Sequence, residues 1–368
     1  MRVFDRVLHW LRRRETHEAH SPVTGRRAVT HVVILDGTLS SLEPGDETNA
    51  GITYKLLREA ANSHLSLYYE AGIQWDEWRD SMDVLLGRGI NRQIRRAYGY
   101  LASRYHEGDR IILMGYSRGA FAVRSLAGVL DRVGLLQATH ATERNVQQAY
   151  RHYESGAATE AARAFQRAFC HERIEVEMVG VWDTVKALGL RLPLLWRLTE
   201  PRYAFHNHEL GKVVRHGFQA LALDETREVF HPILWRCPEG HAMGRRVEQV
   251  WFRGCHGDVG GQLSGFEEAR PLSNIPLVWM LRRLESCDVA LPPDWLSRFP
   301  CDANAPSVGS LRGWGKLFLI RHKRIVGRDP SESIHPTALS RPHPASLPIY
   351  EPGYATCSSD GSEVTPSA

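Results

Sequence analysis

Gly115-Tyr116-Ser117-Arg118-Gly119 stands between an apolar run, residues 110–114, and a stretch of helical character, residues 120–133. A serine on a tight strand-to-helix turn is pushed outward, and its neighbours two residues either side must be small because strand and helix backbones approach there. Gly115 and Gly119 meet that demand. The helix N-terminus beneath such a serine favours developing negative charge, and the N–H of Arg118 is placed to donate to an oxyanion. The pentapeptide therefore reads as a nucleophile elbow, and its plain alternative is a structural turn with a capping serine.

An elbow needs a sheet to stand on, and the rest of the chain supplies one. Residues 31–35, 66–69, 110–114, 176–181 and 247–252 read as strands. Residues 52–61, 91–105, 120–133 and 275–284 read as helices, and 141–170 as helical and surface-facing. Alternating strands and helices predict an α/β fold, a mostly parallel sheet covered on both faces. With 43% hydrophobic residues, the 368-residue chain is long enough to bury a sizeable core. The domain is expected over residues 29–354. Residues 355–368, rich in Ser and Thr, read as a disordered tail.

A hydroxyl is a poor nucleophile without a base, and the base needs an orienting carboxylate. In this architecture the chain order is serine, acid, histidine. Asp183 follows the strand 176–181, and His256 follows the strand 247–252 in a glycine-rich loop. His206, His208 and His216 are rivals among 18 histidines, but they fall in a region read as irregular and helical rather than at a strand end. Asp36, Ser117, Asp183 and His256 all stand at carboxyl ends of expected strands, the edge where open α/β sheets bind ligands. Asp36-Gly37-Thr38 is expected to supply a second oxyanion N–H from Gly37 or Thr38, with the Asp36 carboxylate bracing backbone amides. An aspartyl phosphatase would need a second Asp, where this chain has Thr38 on one side and Ile34 on the other. His256-Gly257-Asp258 is a weak metal signal, and its alternative is a carboxylate bonded to its own loop. HExxH and P-loop motifs are absent.

Charge and composition narrow the partners. Residues 1–30 carry seven Arg against three acids, and the other 338 are balanced, so the body lacks the basic excess of a nucleic-acid binder. Residues 1–28 form a basic amphipathic segment with Val3, Phe4, Val7, Leu8 and Leu11 at helical spacing. Two readings stand for it: packing on the domain, or peripheral membrane contact through residues 1–14. Arg6 and His9 interrupt the apolar run a cleavable signal peptide needs, and no stretch approaches the roughly 18 apolar residues of a membrane span. Six scattered cysteines without a CxxC pair point to a reducing compartment, the bacterial cytoplasm by default. Residues 185–215, with Leu192, Leu194, Leu195, Trp196 and Phe205, read either as a cap over an acyl pocket or as an ordinary crossover.

Seven segments in one order resemble a known family: residues 35–38, Thr48-Asn49, 108–111, 115–120, 180–185, 222–225 and 251–261. That family is an uncharacterised-domain group of α/β-hydrolases that includes the first class of type VI secretion phospholipase effectors. The resemblance covers residues 30–285 and implies a cofactor-free serine lipase or esterase with nucleophile Ser117, acid Asp183 and base His256. Leu39-Ser40 stand where the family commonly has an aromatic residue and Asn. The expected substrate is a lipid or other carboxylic ester, handled by a secreted effector or a housekeeping enzyme. The rival from another class is a degenerate hydrolase fold serving as a binding or scaffold module.

Overall fold

The computed structural model describes residues 27–72, 88–185, 209–237, 246–311, 320–343 and 347–351. Residues 1–26 of the expected N-terminal segment, all but the ends of the expected cap (Leu192, Leu194, Leu195, Trp196 and Phe205 included), and the expected tail lie outside those residues. Seven parallel strands form one sheet in the order β2-β1-β3-β4-β5-β6-β7. They are β1 (Thr30–Leu35), β2 (Leu65–Glu70), β3 (Arg110–Tyr116), β4 (Val176–Trp182), β5 (Val214–Ala222), β6 (Val247–Phe252) and β7 (Glu332–Ile334). The helices are α1 (Asn49–Glu59), α2 (Arg88–Arg104), α3 (Ser117–Arg132), α4 (Glu143–Glu154), α5 (Glu160–Phe169), α6 (His256–Gly260) and α7 (Arg270–Ser286).

The central strands are apolar at nearly every position because both faces are covered. Val33, Leu35, Ile111, Leu113, Val179 and Val181 face a core shared with α2, α3 and α4. Their alternates Val32, Ile34, Ile112, Met114 and Met178 face a second core with α1 and α7. Strand order reverses about β1: β2 lies to one side, and β3 through β7 run successively to the other. The crevice at the carboxyl ends of β1 and β3 is thus the switch point, where such sheets bind ligands.

The α/β expectation holds, with local corrections. Helix α3 starts at Ser117 itself, and α1 starts at Asn49, where the Thr48 side chain accepts from the Gly51 N–H. The expected helical stretch 141–170 is two helices, parted by Gly156 and Ala157, which both take positive φ. Strand β5 was not expected. It carries Arg215, His216 and Gln219, and Gln219 is fully buried in a side-chain network with Thr184 and Gln249 rather than in an apolar layer. The short edge strand β7 was not expected either. Among the described residues no helix is long and apolar enough to cross a membrane.

Candidate active site

Residues Tyr116 and Trp182 pair in register as the last residues of β3 and β4. The next residue of each strand turns out of the sheet in a left-handed conformation, Ser117 at φ 57° and Asp183 at φ 42°. For residues other than glycine this costs free energy and persists only where the surroundings hold it. At Ser117 the surroundings are the two glycines. A Cβ on Gly119 would lie 2.1 Å from the Leu35 carbonyl oxygen, and one on Gly115 would lie 2.8 Å from the Ala120 nitrogen. Ser117 opens α3, so the Arg118 N–H is in the first turn and has no carbonyl four residues back within the helix.

His256 joins the two positions. Its Nε2 lies 2.8 Å from Ser117 Oγ, and its Nδ1 lies 2.6 Å from Asp183 Oδ2. All three side chains are buried. An ionised carboxylate only accepts, so Nδ1 carries the proton and Nε2 is left to accept from the serine hydroxyl. Where a glycine-rich loop was expected, His256 is the first residue of α6, whose C-cap Gly261 has φ 80°. Its backbone N–H donates to Glu225 Oε2 at 3.1 Å, its carbonyl accepts from Tyr116 OH at 3.2 Å, and its ring stacks on Phe230 at 4.5 Å. Burial lowers the His256 pKa, against the opposing pull of Asp183 and Glu225.

Asp183 takes four donors. Oδ1 accepts from the Ala222 N–H at 3.0 Å and Arg324 Nη1 at 2.5 Å; Oδ2 accepts from His256 and from Arg324 Nη2 at 2.8 Å. Burial alone would raise its pKa, but the Arg324 charge and these hydrogen bonds hold it well below the usual carboxylate range. Neither Arg324 nor Phe230 was expected. Arg324 is one of 46 basic residues in an irregular segment, without a local pattern to single it out. Glu225 does belong to the segment 222–225 noted in the sequence, though without a role.

Asp258, the nearer carboxylate in sequence, is turned away from the histidine ring. Its Oδ2 accepts from the Cys255 N–H at 2.7 Å and the Ser307 hydroxyl at 2.5 Å, and Oδ1 accepts from the Val308 N–H at 2.7 Å. It braces its loop. His216 sits in the amino-terminal half of β5, not in an irregular or helical segment, and is remote from the carboxyl edge. His206 and His208 lie outside the described residues.

The loop after β1 comes close to the array, since Gly119 packs against the carbonyls of Leu35 and Asp36. Asp36 braces that loop as expected, accepting from the Gly37 N–H at 2.7 Å, Thr48 Oγ1 at 2.6 Å and Tyr69 OH at 2.8 Å. Burial pushes its pKa up to about 6. The first of these bonds corrects one expectation: the Gly37 N–H is committed to Asp36 and is not free for an oxyanion. No acceptor for the Thr38 N–H occurs among the hydrogen bonds of the described residues.

A hydroxyl on a helix N-terminus, hydrogen-bonded to an imidazole that an ionised carboxylate orients, is an arrangement suited to nucleophilic attack on a carbonyl. Residues 30–283 match the family described as T6SS phospholipase effector Tle1-like, catalytic domain. The chain belongs to that family. An uncharacterized protein of Saccharomyces cerevisiae is 26% identical over 225 residues, covering 54% of this chain and 31% of the yeast protein. Among solved structures, an uncharacterized protein from Pseudomonas aeruginosa matches at 15% identity and TM-score 0.44, over 75% of this chain and 49% of that one. The Tle1 effector bound to the VgrG spike from the type VI secretion system matches at 17% identity and TM-score 0.35, over 64% of this chain and 51% of that one. The chain thus spans about a third of the yeast relative and half of each solved chain.

Proposed function

We propose that the chain is a serine hydrolase cleaving carboxylic esters of phospholipids without a cofactor. The observation that carries this reading is the continuous hydrogen-bonded array Ser117–His256–Asp183 at the switch point of the sheet. Ser117 Oγ attacks the ester carbonyl while His256 Nε2 takes its proton. The N–H groups of Arg118 and Thr38 receive the charge that develops on the carbonyl oxygen. The tetrahedral intermediate collapses, His256 returns the proton to the leaving alcohol, and water repeats the cycle to release the fatty acid. Asp183 keeps the ring in the required tautomer and stabilises the imidazolium.

The catalytic body extends over residues 29–354, beyond the family match, because residues 320–343 and 347–351 pack on the sheet and on Asp183. Among the described residues Cys170, Cys255 and Cys301 carry free thiols. Membrane contact falls to the basic residues 1–14. The test is fatty-acid release from phospholipid vesicles by the wild type and Ser117→Ala. The wild type should turn over and the variant should lose nearly all activity while melting normally. A folded Ser117→Ala variant that keeps most of its activity would overturn the mechanism.

A further inference from the structure

Arg324 lies beyond residue 283, where the family match ends, yet it reaches the centre of the array. Its side chain is almost fully buried. Each terminal nitrogen makes two bonds: Nη1 donates to Asp183 Oδ1 and to the Ala222 carbonyl at 2.7 Å, and Nη2 donates to Asp183 Oδ2 and to the Phe230 carbonyl at 2.7 Å. Nε is buried without an acceptor among the described residues. A buried guanidinium with an orphan donor is a poor device for stability alone, since apolar groups of similar volume often serve as well or better. What an apolar group could not do is grip both oxygens of a carboxylate at once.

We infer that Arg324 is a positioning residue that fixes the acid of the array as an ionised, oriented carboxylate and thereby sets the pH at which the base becomes competent. This rests on the serine-hydrolase reading of the site. Arg324 and His256 share Asp183 Oδ2, so the guanidinium charge opposes that of an imidazolium one carboxylate oxygen away. The other groups facing His256 are Ser117 on α3, Tyr116 on β3, and Glu225, Arg227 and Phe230 after β5. Cys255 and Asp258 flank it on its own segment, with Asp258 engaged by Ser307 and Val308. Arg227, paired with Glu225, also opposes an imidazolium, while the arginine on Asp183 offsets the carboxylate that touches the ring.

The sign follows from both groups. Without Arg324 the imidazolium is better stabilised, and the Asp183 carboxylate is easier to protonate. Either change moves the acid limb of the activity profile to higher pH. The two titrate as a coupled pair, so the limb is read as one apparent value.

The experiment measures kcat/KM against pH for the full-length wild type, Arg324→Gln and Arg324→Lys on a soluble short-chain ester, with product acid quantified by chromatography. Active-site titration with a fluorophosphonate corrects for the folded fraction. Arg324→Gln should move the acid limb up by about one pH unit, and Arg324→Lys, which keeps a charge but not the fork, should fall between. A loss of activity equal at all pH values with an unmoved limb would overturn the assignment. Failure of both variants to fold would also overturn it, by making Arg324 a structural cation. A wild type without Ser117-dependent turnover would defeat the hydrolase reading and this inference with it; a Ser117-dependent wild type whose limb Arg324 does not control defeats this inference alone.

Discussion

Four donors converge on the carboxylate of Asp183, and two of them belong to a buried cation. Asp183→Asn therefore does more than disturb the ring tautomer, a change that in a comparable triad costs about 10⁴ in turnover. It also leaves Arg324 facing an amide, and breaking a buried ion pair typically costs about 3–5 kcal/mol. The variant should lose about four orders of magnitude in kcat and melt well below the wild type. Asp258→Asn should mainly weaken its loop and retain far more activity; turnover numbers and thermal melts of both variants check this. A second carboxyl, Asp36, works in the opposite sense. Its folded pKa of about 6 stands above the ordinary aspartate value of 3.8. Its contribution to stability is therefore full below about pH 4 and lost as pH rises through 6, a difference of about 3 kcal/mol at neutral pH. Asp36→Asn keeps an acceptor for the Gly37 N–H and offers an amide to the Thr48 and Tyr69 hydroxyls. Melts across pH 4–8 should show a flatter decline for the variant and a higher Tm at neutral pH. That Ser117, Asp183 and His256 meet was legible from residue type at strand ends. Arg324 was not, because a guanidinium that arrives from a distant loop leaves no spacing to read.

Among the elements, α3 packs backbone to backbone on the end of β1 where Gly119 meets the carbonyls of Leu35 and Asp36. A methyl group there must separate helix from strand, since backbone atoms cannot swing aside as a flexible side chain does. Gly119→Ala should destabilise by at least about 1–3 kcal/mol and lower kcat in the surviving folded fraction, because the Thr38 amide moves with β1. An unchanged melt and turnover would show that the approach is looser than the geometry states. The same elements show why the sheet was only partly legible. Strands β1, β3 and β4 are buried on both faces and read as apolar runs. Strand β5 is mostly buried too, but Gln219 answers to a buried amide network, Gly217 to Leu210 and Trp235, and His216 to the Phe218 ring, which periodicity cannot register. Strand β7 has three residues and is held by Trp251 Nε1–H donating to Glu332 at 2.8 Å, a tertiary bond with no local signature.

For the whole molecule, the residues after 283 complete what the family-matched part begins. Ser307 and Val308 satisfy Asp258, Arg324 satisfies Asp183, and β7 covers β6, with Ile334 in a small core beside Trp251 and Leu221. A chain cut after residue 283 leaves two buried carboxylates without these partners and exposes an apolar edge. It should fail to give a cooperative melt and should hydrolyse no ester, whereas residues 27–351 should do both. A folded, active protein from the shorter chain would show that the later segments are accessory. Deleting residues 1–26 should leave turnover on a soluble ester unchanged and reduce binding to anionic vesicles in a salt-sensitive way. Equal binding with and without the segment would remove it from any membrane role.

The proposed mechanism stands on an activated Ser117. The most direct measurement is the stoichiometry and position of fluorophosphonate labelling, mapped by mass spectrometry on the intact protein and its peptides. One adduct per chain is expected on Ser117, absent in Ser117→Ala and strongly slowed in His256→Ala. A folded wild type that hydrolyses phospholipid while Ser117 stays unlabelled, or that carries its adduct on another residue, would contradict it.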